Sequence, residues 1–378
     1  MTMTTNSSTH TNQEGKRVVL ITGCSAGSIG HSLALEFANQ GCRVFASSRD
    51  TSKIDSSLVE KGIEAVELDV TSTQSVEAAV AKVITEAGYI DVLVNNAGQM
   101  CVGPVVEVDI DRVQQILDVN VMGAARVCQV VAPHMMDRRQ GTIVNVGSVS
   151  GYVATPWVGY YAASKAALHA MSDSLRVEMQ PFNVNVVVVA PGSVKSNLVD
   201  AQSEVQLLCE DSRYIRAIDS VRARAVLSQT VNSTPTAEFA RCVVPQLLMR
   251  KPRAYVTFGG NATFIWLLYF MPASVLDFIF SKRFGTRKLK ADLALGTAEK
   301  QEQGMCPVTQ RRGGQCPMGM RKSNNTSREG GSILASIMTK CPVTNPVVWA
   351  ITAGACVAWY GLNHPEIFKR VGDLAFGK

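Results

Sequence analysis

Tyr161 and Lys165 are the two residues of this chain whose types and spacing most directly suggest chemistry. Residues four apart on an α-helix lie on one face, so the phenol and the ammonium would point the same way. An isolated tyrosine has a pKa of about 10, and a neighbouring positive charge lowers that pKa by favouring the phenolate. The pair predicts a tyrosine that exchanges a proton with a substrate. Taken alone, it is equally compatible with a chance pair on a surface helix.

The first element that would position this pair is a short apolar run from Arg17 to Thr22, which indicates a strand buried in a parallel sheet. The run continues into a glycine-containing loop, Gly23 to Gly30, and then into helical apolar spacing from His31 onward. Glycines let the backbone approach a pyrophosphate, and the first turn of a helix offers unpaired N–H groups. This order of strand, loop and helix predicts a dinucleotide site.

The end of the next strand, Arg43 to Ser47, predicts which dinucleotide binds. An acidic residue at this point binds the adenosine ribose of NAD, whereas an arginine accommodates the 2′-phosphate of NADP. Arg49 follows the strand, Lys53 lies nearby, and we expect Asp50 to begin a turn. The predicted cofactor is therefore NADP(H).

The remaining strands and helices alternate at the spacing of an α/β fold with a doubly wound parallel sheet, the Rossmann fold. Further strands are predicted at 64–70, 92–94, 142–146 and 183–190, and helices at 71–86, 113–136 and 160–179. The polar and glycine residues that follow strand ends are Asp69, Asn95 to Gly98, Ser148 and Pro191-Gly192. Ligands of such sheets bind beyond the carboxyl ends of the strands, so we expect these residues to meet there.

The composition indicates a folded protein that leans towards apolar residues. The chain has 378 residues, of which 46% are hydrophobic and 18% are charged, and its formal net charge is +6. We find no zinc-ligand spacing and no nucleic-acid-binding motif, and so expect no metal and no nucleic-acid partner. The ten cysteines are scattered, which favours a reducing compartment. Residues 1–15 lack the apolar core of a secretory signal and are predicted to be disordered.

Residues 264–284 form an apolar, aromatic-rich segment that is unusual for a surface loop. Pro272 and Asp277 interrupt it, whereas a transmembrane helix needs about 20 apolar residues. Basic residues follow at 282–290, which favours a membrane-proximal segment with its cations at anionic headgroups. A core helix that covers a substrate pocket is the alternative.

The end of the chain is predicted to be a linker and a second apolar segment. Residues 286–345 are rich in glycine, glutamine and charge, which predicts disorder. Their Cys-Pro pairs, at Cys306, Cys316 and Cys341, are interpreted as exposed thiols rather than a haem-responsive or redox element. Residues 346–378 contain an apolar run at 347–362, which would be about 24 Å long as a helix. This run predicts a membrane-associating tail that either spans the membrane or only anchors the chain to it.

These motifs together resemble the short-chain dehydrogenase/reductase family over residues 16–285, a single catalytic domain. The matching residues are Thr22-Gly23 to Gly30, Asp69-Val70, Asn95 to Gly98, Asn120, Ser148, Tyr161 with Lys165, and Pro191-Gly192 to Ser196. Two departures are visible. Ser28 looks like an insertion, so we expect a local bulge that still holds phosphate, and Ser196 stands where the family usually has threonine.

The resemblance implies a role for each matching residue. Tyr161 would be the general acid for carbonyl reduction, and Ser148 would bind the substrate oxygen. Lys165 would lower the pKa of Tyr161 and bind the nicotinamide ribose, and Asn120 would hold a water that links Lys165 to solvent. The residues implied in NADP(H) binding are Thr22, Gly23, Ser25, Gly27, Ile29, Gly30, Arg49, Asp69, Val70, Asn96, Ala97, Gly98, Tyr161, Lys165, Pro191, Gly192, Val194 and Ser196.

Within the family the chain is most similar to membrane-associated NADPH-dependent reductases of lipid ketones, such as fungal 1-acyldihydroxyacetone-phosphate reductase, and more broadly to 17β-hydroxysteroid and retinol dehydrogenases. This likeness implies reduction of a small lipophilic ketone at the cytosolic face of the endoplasmic reticulum or at a lipid droplet, with the soluble cytoplasm as second choice. Oxidation of a sterol or retinoid alcohol, and a non-catalytic NADP(H)-binding membrane adaptor, are the alternatives. A homo-oligomer is implied by the family, and the substrate itself stays open.

Overall fold

The computed structural model describes residues 15–197, 208–209, 211–230 and 233–302. The strands are β1 (Val18–Ile21), β2 (Arg43–Ser48), β3 (Glu64–Glu67), β4 (Val92–Asn95), β5 (Gly141–Val146), β6 (Val184–Pro191), β7 (Val194–Lys195), β8 (Thr234–Pro235) and β9 (Tyr255–Phe258). The α-helices are α1 (Ile29–Asn39), α2 (Ser56–Glu60), α3 (Thr73–Ala87), α4 (Ile110–Leu117), α5 (Ala124–Arg138), α6 (Gly159–Glu178), α7 (Ile218–Ala225), α8 (Thr236–Leu247), α9 (Ala262–Leu268), α10 (Ala273–Arg283) and α11 (Thr286–Glu302).

Seven strands form one sheet in the order β3-β2-β1-β4-β5-β6-β9, and every neighbouring pair in it is parallel. The chain passes outward from β1 through β2 to β3 and then returns to place β4 on the other side of β1. This reversal opens a crevice at the carboxyl ends of β1 and β4, where dinucleotide folds bind their ligands. The predicted doubly wound Rossmann fold is confirmed.

The central strands are apolar on both faces because helices cover both sides of the sheet. In β6, Val187 packs in one layer with Phe37 of α1 and Phe239 of α8. Its neighbour Val186 points into the opposite layer, which contains Val127 of α5. Successive side chains of a strand face opposite ways, so a run of valines supplies both cores and holds the sheet rigid beneath the crevice.

The helix predicted at 113–136 is interrupted by a π-helical turn, Asp118–Gly123, between α4 and α5. The run is helical throughout, as predicted, and the π-helical turn is a local irregularity that the spacing did not indicate. At Gly123 a Cβ would lie 2.8 Å from Val70, so the turn packs directly on the segment after β3. The turn places Asn120 in the interior, where it is 1% exposed, and π turns of this kind often mark functional sites.

The apolar segment after β9 folds into two short helices, and Pro272 precedes the second of them, α10. Helix α9 buries Ala262 and Leu268, whereas α10 buries no residue at all. The aromatic side chains of Phe264 and Phe278 are 57% and 63% exposed. Among the described residues, the helical run Ile110–Arg138 is the one long and apolar enough to cross a membrane, and much of it belongs to the core.

The compact unit that contains the sheet extends to Glu302. Helix α11 occupies the start of the predicted linker because one apolar side chain, Leu289, packs in a cluster with Trp157 and Phe284. Arg216 also donates a hydrogen bond to the carbonyl oxygen of Asp292 in this helix, and the polar composition of the segment gives no sign of these contacts. The Cys-Pro pairs, the rest of the predicted linker, the predicted tail at 346–378 and residues 1–14 lie outside the described residues.

Candidate active site

The loop between β1 and α1 brings backbone atoms unusually close together. Gly23 has a φ of +74°, and a Cβ at Gly30 would lie 2.4 Å from the carbonyl oxygen of Gly23. The side-chain amide of Asn96 donates hydrogen bonds to the carbonyl oxygens of Thr22 and Gly23, at 2.8 and 2.9 Å. Any side chain at Gly30 would push α1 away from the loop. The bare backbone and the start of a helix thus fit the pyrophosphate of a dinucleotide.

The inserted residue of this loop, Ser28, is the N-cap of α1. Its hydroxyl accepts a hydrogen bond from the backbone N–H of His31 at 3.0 Å and donates one to the carbonyl oxygen of Gly23 at 3.2 Å. A serine in this position satisfies a backbone donor that the helix leaves unpaired. The predicted irregularity of the loop takes the form of a capped helix start.

Thr22 joins the ends of β1 and β4. Its hydroxyl oxygen accepts hydrogen bonds from the backbone N–H groups of Asn96 and Ala97, both at 3.0 Å. On the far side of β4, the amide of Asn95 donates to Asn145 of β5 at 2.9 Å. These buried bonds fix the floor of the crevice, because an unmade hydrogen bond there would leave desolvated polar groups.

The adenosine end of the crevice is lined by Ser48, Arg49 and Asp69. Asp50 begins a 3₁₀ turn, as predicted, and its carboxylate accepts a hydrogen bond from the backbone N–H of Ser52 at 3.0 Å. This carboxylate is engaged in the turn, and it is Arg49 that lines the crevice as an exposed side chain.

Tyr161, Lys165 and Ser148 line the other end of the same cavity, whose volume is about 560 Å³. Helix α6 presents Tyr161 and Lys165 on one buried face, with 9% and 5% of each residue exposed. Ser148 follows β5 and is 7% exposed. The ammonium of Lys165 donates to the carbonyl oxygen of Val146 at 2.9 Å and lies 5.9 Å from the centre of the Tyr161 ring. The predicted catalytic residues are therefore adjacent.

The pKa of Tyr161 is raised rather than lowered in the protein alone. Burial raises its pKa above the ordinary value, and a hydrogen bond with Ser148 and the charge of Arg224 lower it by less. Burial also lowers the pKa of Lys165 to about 8. In the protein alone, desolvation of the phenol outweighs the charges that lower its pKa, and the predicted effect of Lys165 on Tyr161 stays a prediction.

Asn120 lies behind the cavity wall and connects two elements. Its amide nitrogen donates to the carbonyl oxygen of Gln99 at 2.8 Å and to the hydroxyl of Ser164 on α6 at 2.9 Å. Its carbonyl oxygen accepts from the backbone N–H of Gln99 at 2.7 Å. Asn120 thus holds α6 against the loop after β4. The water predicted between it and Lys165 stays a prediction.

The segment after β6 closes the cavity from the opposite side. The backbone N–H of Gly192 donates to Phe258 of β9 at 2.9 Å, and Val194 pairs with Thr234. The amide of Asn197 donates to the carbonyl oxygen of Ala26 in the glycine loop at 2.7 Å. The predicted cofactor residues that line the cavity are Gly23, Ser25, Ile29, Arg49, Asp69, Val70, Asn96, Ala97, Gly98, Tyr161, Lys165, Pro191, Gly192, Val194 and Ser196. The remaining ones, Thr22, Gly27 and Gly30, are not part of the wall.

A protein-family model for short chain dehydrogenases matches residues 17–206, half of the chain. The chain belongs to the short-chain dehydrogenase family. It is therefore an oxidoreductase of a family that binds NAD or NADP, and the glycine loop, Ser148, Tyr161 and Lys165 form its candidate active site.

Known short-chain dehydrogenases resemble the chain over its catalytic part. Short-chain dehydrogenase ptmH of Penicillium ochrochloron is 36% identical over 273 residues, which cover 71% of this chain and 98% of that protein. An NADPH-dependent 1-acyldihydroxyacetone phosphate reductase of Schizosaccharomyces pombe is 40% identical over 188 residues, 49% of this chain and 62% of that protein. The crystal structure of a short-chain dehydrogenase from Streptomyces avermitilis superimposes with a TM-score of 0.59 at 26% identity, over 74% of this chain and 99% of that chain.

Two residues beside these family motifs were not predicted. His169 lies four positions after Lys165 on the same face of α6, a spacing that would have indicated it. Its ring accepts a hydrogen bond from the backbone N–H of Ser148 at 3.4 Å, and burial lowers its pKa to about 4. The neutral ring thus supports the loop that carries Ser148. The second residue, Arg224 of α7, lines the cavity, and no motif in the sequence indicates its role.

Proposed function

We propose that the protein is an NADPH-dependent reductase of a lipid-like ketone, with Tyr161 as the proton donor. The observation that carries this proposal is the single cavity that Ser148, Tyr161 and Lys165 share with the glycine loop. Bound in that loop, NADPH supplies the hydride for the carbonyl carbon. The hydroxyl of Ser148 donates a hydrogen bond to the carbonyl oxygen, and the phenol of Tyr161 transfers its proton to that oxygen as negative charge develops there.

The same geometry explains why the proton moves only during reduction. Because burial holds the pKa of Tyr161 above its ordinary value, the phenol keeps its proton at neutral pH in the resting enzyme. The ammonium of Lys165, 5.9 Å from the ring centre, stabilises the phenolate that is left after transfer.

The choice of NADPH over NADH is supported by Arg49, which lines the adenosine end of the cavity beside Ser48. A guanidinium binds a phosphate group through paired hydrogen bonds, and the 2′-phosphate is the group that NADH lacks. The name of the S. pombe relative is consistent with this choice.

We expect Arg49→Ala to raise the KM for NADPH by about tenfold or more and to leave the KM for NADH nearly unchanged, since hydrogen bonds between charged groups contribute about 1.5–3 kcal/mol. Initial rates with both nucleotides at a fixed ketone concentration measure this change. Lys61→Ala, which removes an exposed cation outside the cavity wall, is the matched control. Equal changes with NADPH and NADH would contradict the assignment.

A lipid-like substrate is supported by the exposed apolar surface of α9 and α10, here called the α9–α10 patch. Its large exposed side chains are Phe264, Leu267, Tyr269, Phe270, Met271, Val275 and Phe278. Ile265, on the same helix as Phe264, lines the cavity, so the helix that carries part of the patch also borders the cavity. A substrate dissolved in a bilayer would reach the active site along this surface.

The patch is bordered by exposed cations, which favour an anionic membrane surface as its partner. They are Lys282, Arg283, Arg287, Lys288 and Lys290, on α10 and α11. Each basic residue near an anionic leaflet contributes about 1 kcal/mol to binding. The six cysteines in the described part of the chain are free thiols, which is consistent with a reducing compartment. These features are consistent with our proposal that the reductase acts at a cytosolic membrane face, such as that of the endoplasmic reticulum or a lipid droplet.

Replacing Phe264 and Phe278 together with serine should weaken binding of the full chain to vesicles of phosphatidylcholine and phosphatidylserine by about tenfold or more, because each buried aromatic side chain contributes about 1.5–3 kcal/mol. Sedimentation with vesicles gives the binding, and the KM for a vesicle-borne ketone should rise in parallel. Val106→Ser removes an apolar side chain that is 78% exposed elsewhere and is the control. Unchanged vesicle binding and KM in the double variant would exclude the patch as the docking surface.

The decisive experiment for the proposed function follows the absorbance of NADPH with the purified full chain. A 1-acyldihydroxyacetone phosphate, its dephosphorylated analogue and a steroid ketone are tested as substrates in detergent or vesicles. Consumption of NADPH with an acyl ketone, and formation of the corresponding alcohol, is the expected result. No consumption with any of these ketones, combined with reduction of NADP by a sterol or retinoid alcohol, would overturn the proposal.

A further inference from the structure

Arg224 is a cation in the cavity wall, and the proposed hydride transfer assigns it no role. It lies on α7 and lines the same cavity as Ser148 and Tyr161. Its Nε donates one hydrogen bond, to the hydroxyl of Thr155 at 3.2 Å. A guanidinium has five N–H donors. Among residues 15–197, 208–209, 211–230 and 233–302, no carboxylate lies within ion-pair distance of it.

The other charged groups of the wall are already engaged or lie at the adenosine end. The ammonium of Lys165 donates to Val146, and the guanidinium of Arg112 donates to Gln99, Gln115 and Met100. The charged residues that line the described cavity are Arg49, Asp69, Arg112, Lys165 and Arg224. Four are cations, and the carboxylate of Asp69 accepts hydrogen bonds from Thr71. Among the residues that the structure describes, the substrate end of the cavity therefore carries more positive than negative charge.

This charge persists at neutral pH. Burial lowers the pKa of Arg224 to about 10, and the guanidinium stays protonated well below that value. A partly desolvated cation without an anionic partner is unfavourable, and a bound anion relieves that cost. Arg224 and Tyr161 also affect each other electrostatically, so the guanidinium is near the proton donor.

We propose that Arg224 binds a phosphate monoester carried by the ketone substrate, close to the carbonyl group that Tyr161 protonates. This inference rests on the proposed function and adds to it the class of substrate. A planar guanidinium matches two phosphate oxygens with parallel hydrogen bonds, which fixes orientation as well as affinity. Thr155 holds the Nε side of the guanidinium, and within the described part of the chain the terminal nitrogens have no hydrogen-bond partner, so they can face a ligand. Thr155 is thus a positioning residue for this contact.

The test compares kcat/KM for 1-palmitoyl-dihydroxyacetone phosphate and for 1-palmitoyl-dihydroxyacetone, which differ only in the phosphate, with the full chain and saturating NADPH. The wild type should prefer the phosphate ester, mainly through a lower KM. Arg224→Gln should reduce that preference by about 10- to 100-fold, because it removes charge-assisted hydrogen bonds. Arg224→Lys should retain part of it, since an ammonium binds phosphate as a point charge. Thr155→Val should show a smaller loss in the same ratio.

Arg222→Gln is the matched control, because Arg222 lies on the same helix with its side chain 67% exposed. An Arg224→Gln protein that keeps the wild-type ratio between the two ketones would overturn the inference, even if both rates fall together. Binding of glycerol 3-phosphate, measured by calorimetry, provides a readout without turnover, and it should weaken in Arg224→Gln and Arg224→Lys. Turnover of neither ketone by the wild type would count against the proposed function alone. In that case loss of glycerol 3-phosphate binding still supports the phosphate site, and unchanged binding rejects it.

Discussion

Tyr161→Phe should lower kcat/KM for ketone reduction by about 100- to 10,000-fold, the range that a positioned general acid contributes. The substitution removes only the hydroxyl that donates the proton, and the ring keeps its buried place on α6. Binding of NADPH, followed by fluorescence titration, should change little. Initial rates of NADPH consumption measure the loss.

Tyr160→Phe is the matched control for this variant. Tyr160 is the preceding residue, and its hydroxyl donates to the carbonyl oxygen of Val105 at 3.0 Å, outside the cavity wall. Its loss should leave the rate within about twofold, since surface substitutions have small effects. A Tyr161→Phe protein with near wild-type turnover would show that the proton comes from elsewhere.

Lys165→Met should produce a more stable protein with severely reduced activity. Burial lowers the pKa of Lys165 from 10.5 to about 8, a difference that corresponds to about 3 kcal/mol of destabilisation while the lysine is charged. Methionine removes this cost and loses the hydrogen bond to Val146, which is worth about 1 kcal/mol. A net gain of about 2 kcal/mol in the free energy of unfolding is expected from these two contributions.

The stability difference between the wild type and Lys165→Met should depend on pH in a defined direction. Below pH 8 the lysine is protonated in both the folded and the unfolded chain, so the full cost is present in the wild type. Between pH 8 and 10.5 the unfolded chain binds the extra proton, and the stability of the wild type rises relative to the variant. Urea denaturation at several pH values measures the difference between the two proteins, with Lys61→Met as an exposed control. A constant difference across this range, or a less stable variant at pH 7, would contradict the argument.

We expect Lys165 to support activity and to lower the stability of the fold for one physical reason. A cation that stabilises a phenolate during catalysis must stay close to it in a site that excludes water, and the same exclusion destabilises the cation at rest. The sequence showed the pair Tyr161 and Lys165, and helical spacing placed both on one face. It did not show that burial would raise the pKa of Tyr161, because desolvation depends on the elements packed around α6.

The sheet was predictable because its signal is local. Val184–Pro191 is apolar on both faces, and a strand with that pattern has to lie inside a parallel sheet covered by helices. The glycine loop was predictable for a related reason, since only glycine tolerates a carbonyl oxygen 2.4 Å from the position of a Cβ, as at Gly30. By contrast, β9 joins the sheet beside β6 through tertiary pairing, and its four residues carry too weak a pattern to be assigned.

The sequence by itself determined the α/β fold and indicated the candidate cofactor and catalytic residues, because each depends on patterns between near neighbours in the chain. Only the tertiary structure decided what surrounds Tyr161. Three features depend on contacts between residues distant in sequence. They are the π-helical turn at Asn120, the packing of His169 against Ser148 and the position of Arg224 in the cavity wall. Contacts of that kind are set by how helices and loops pack, and burial by these elements is what raises the pKa of the phenol.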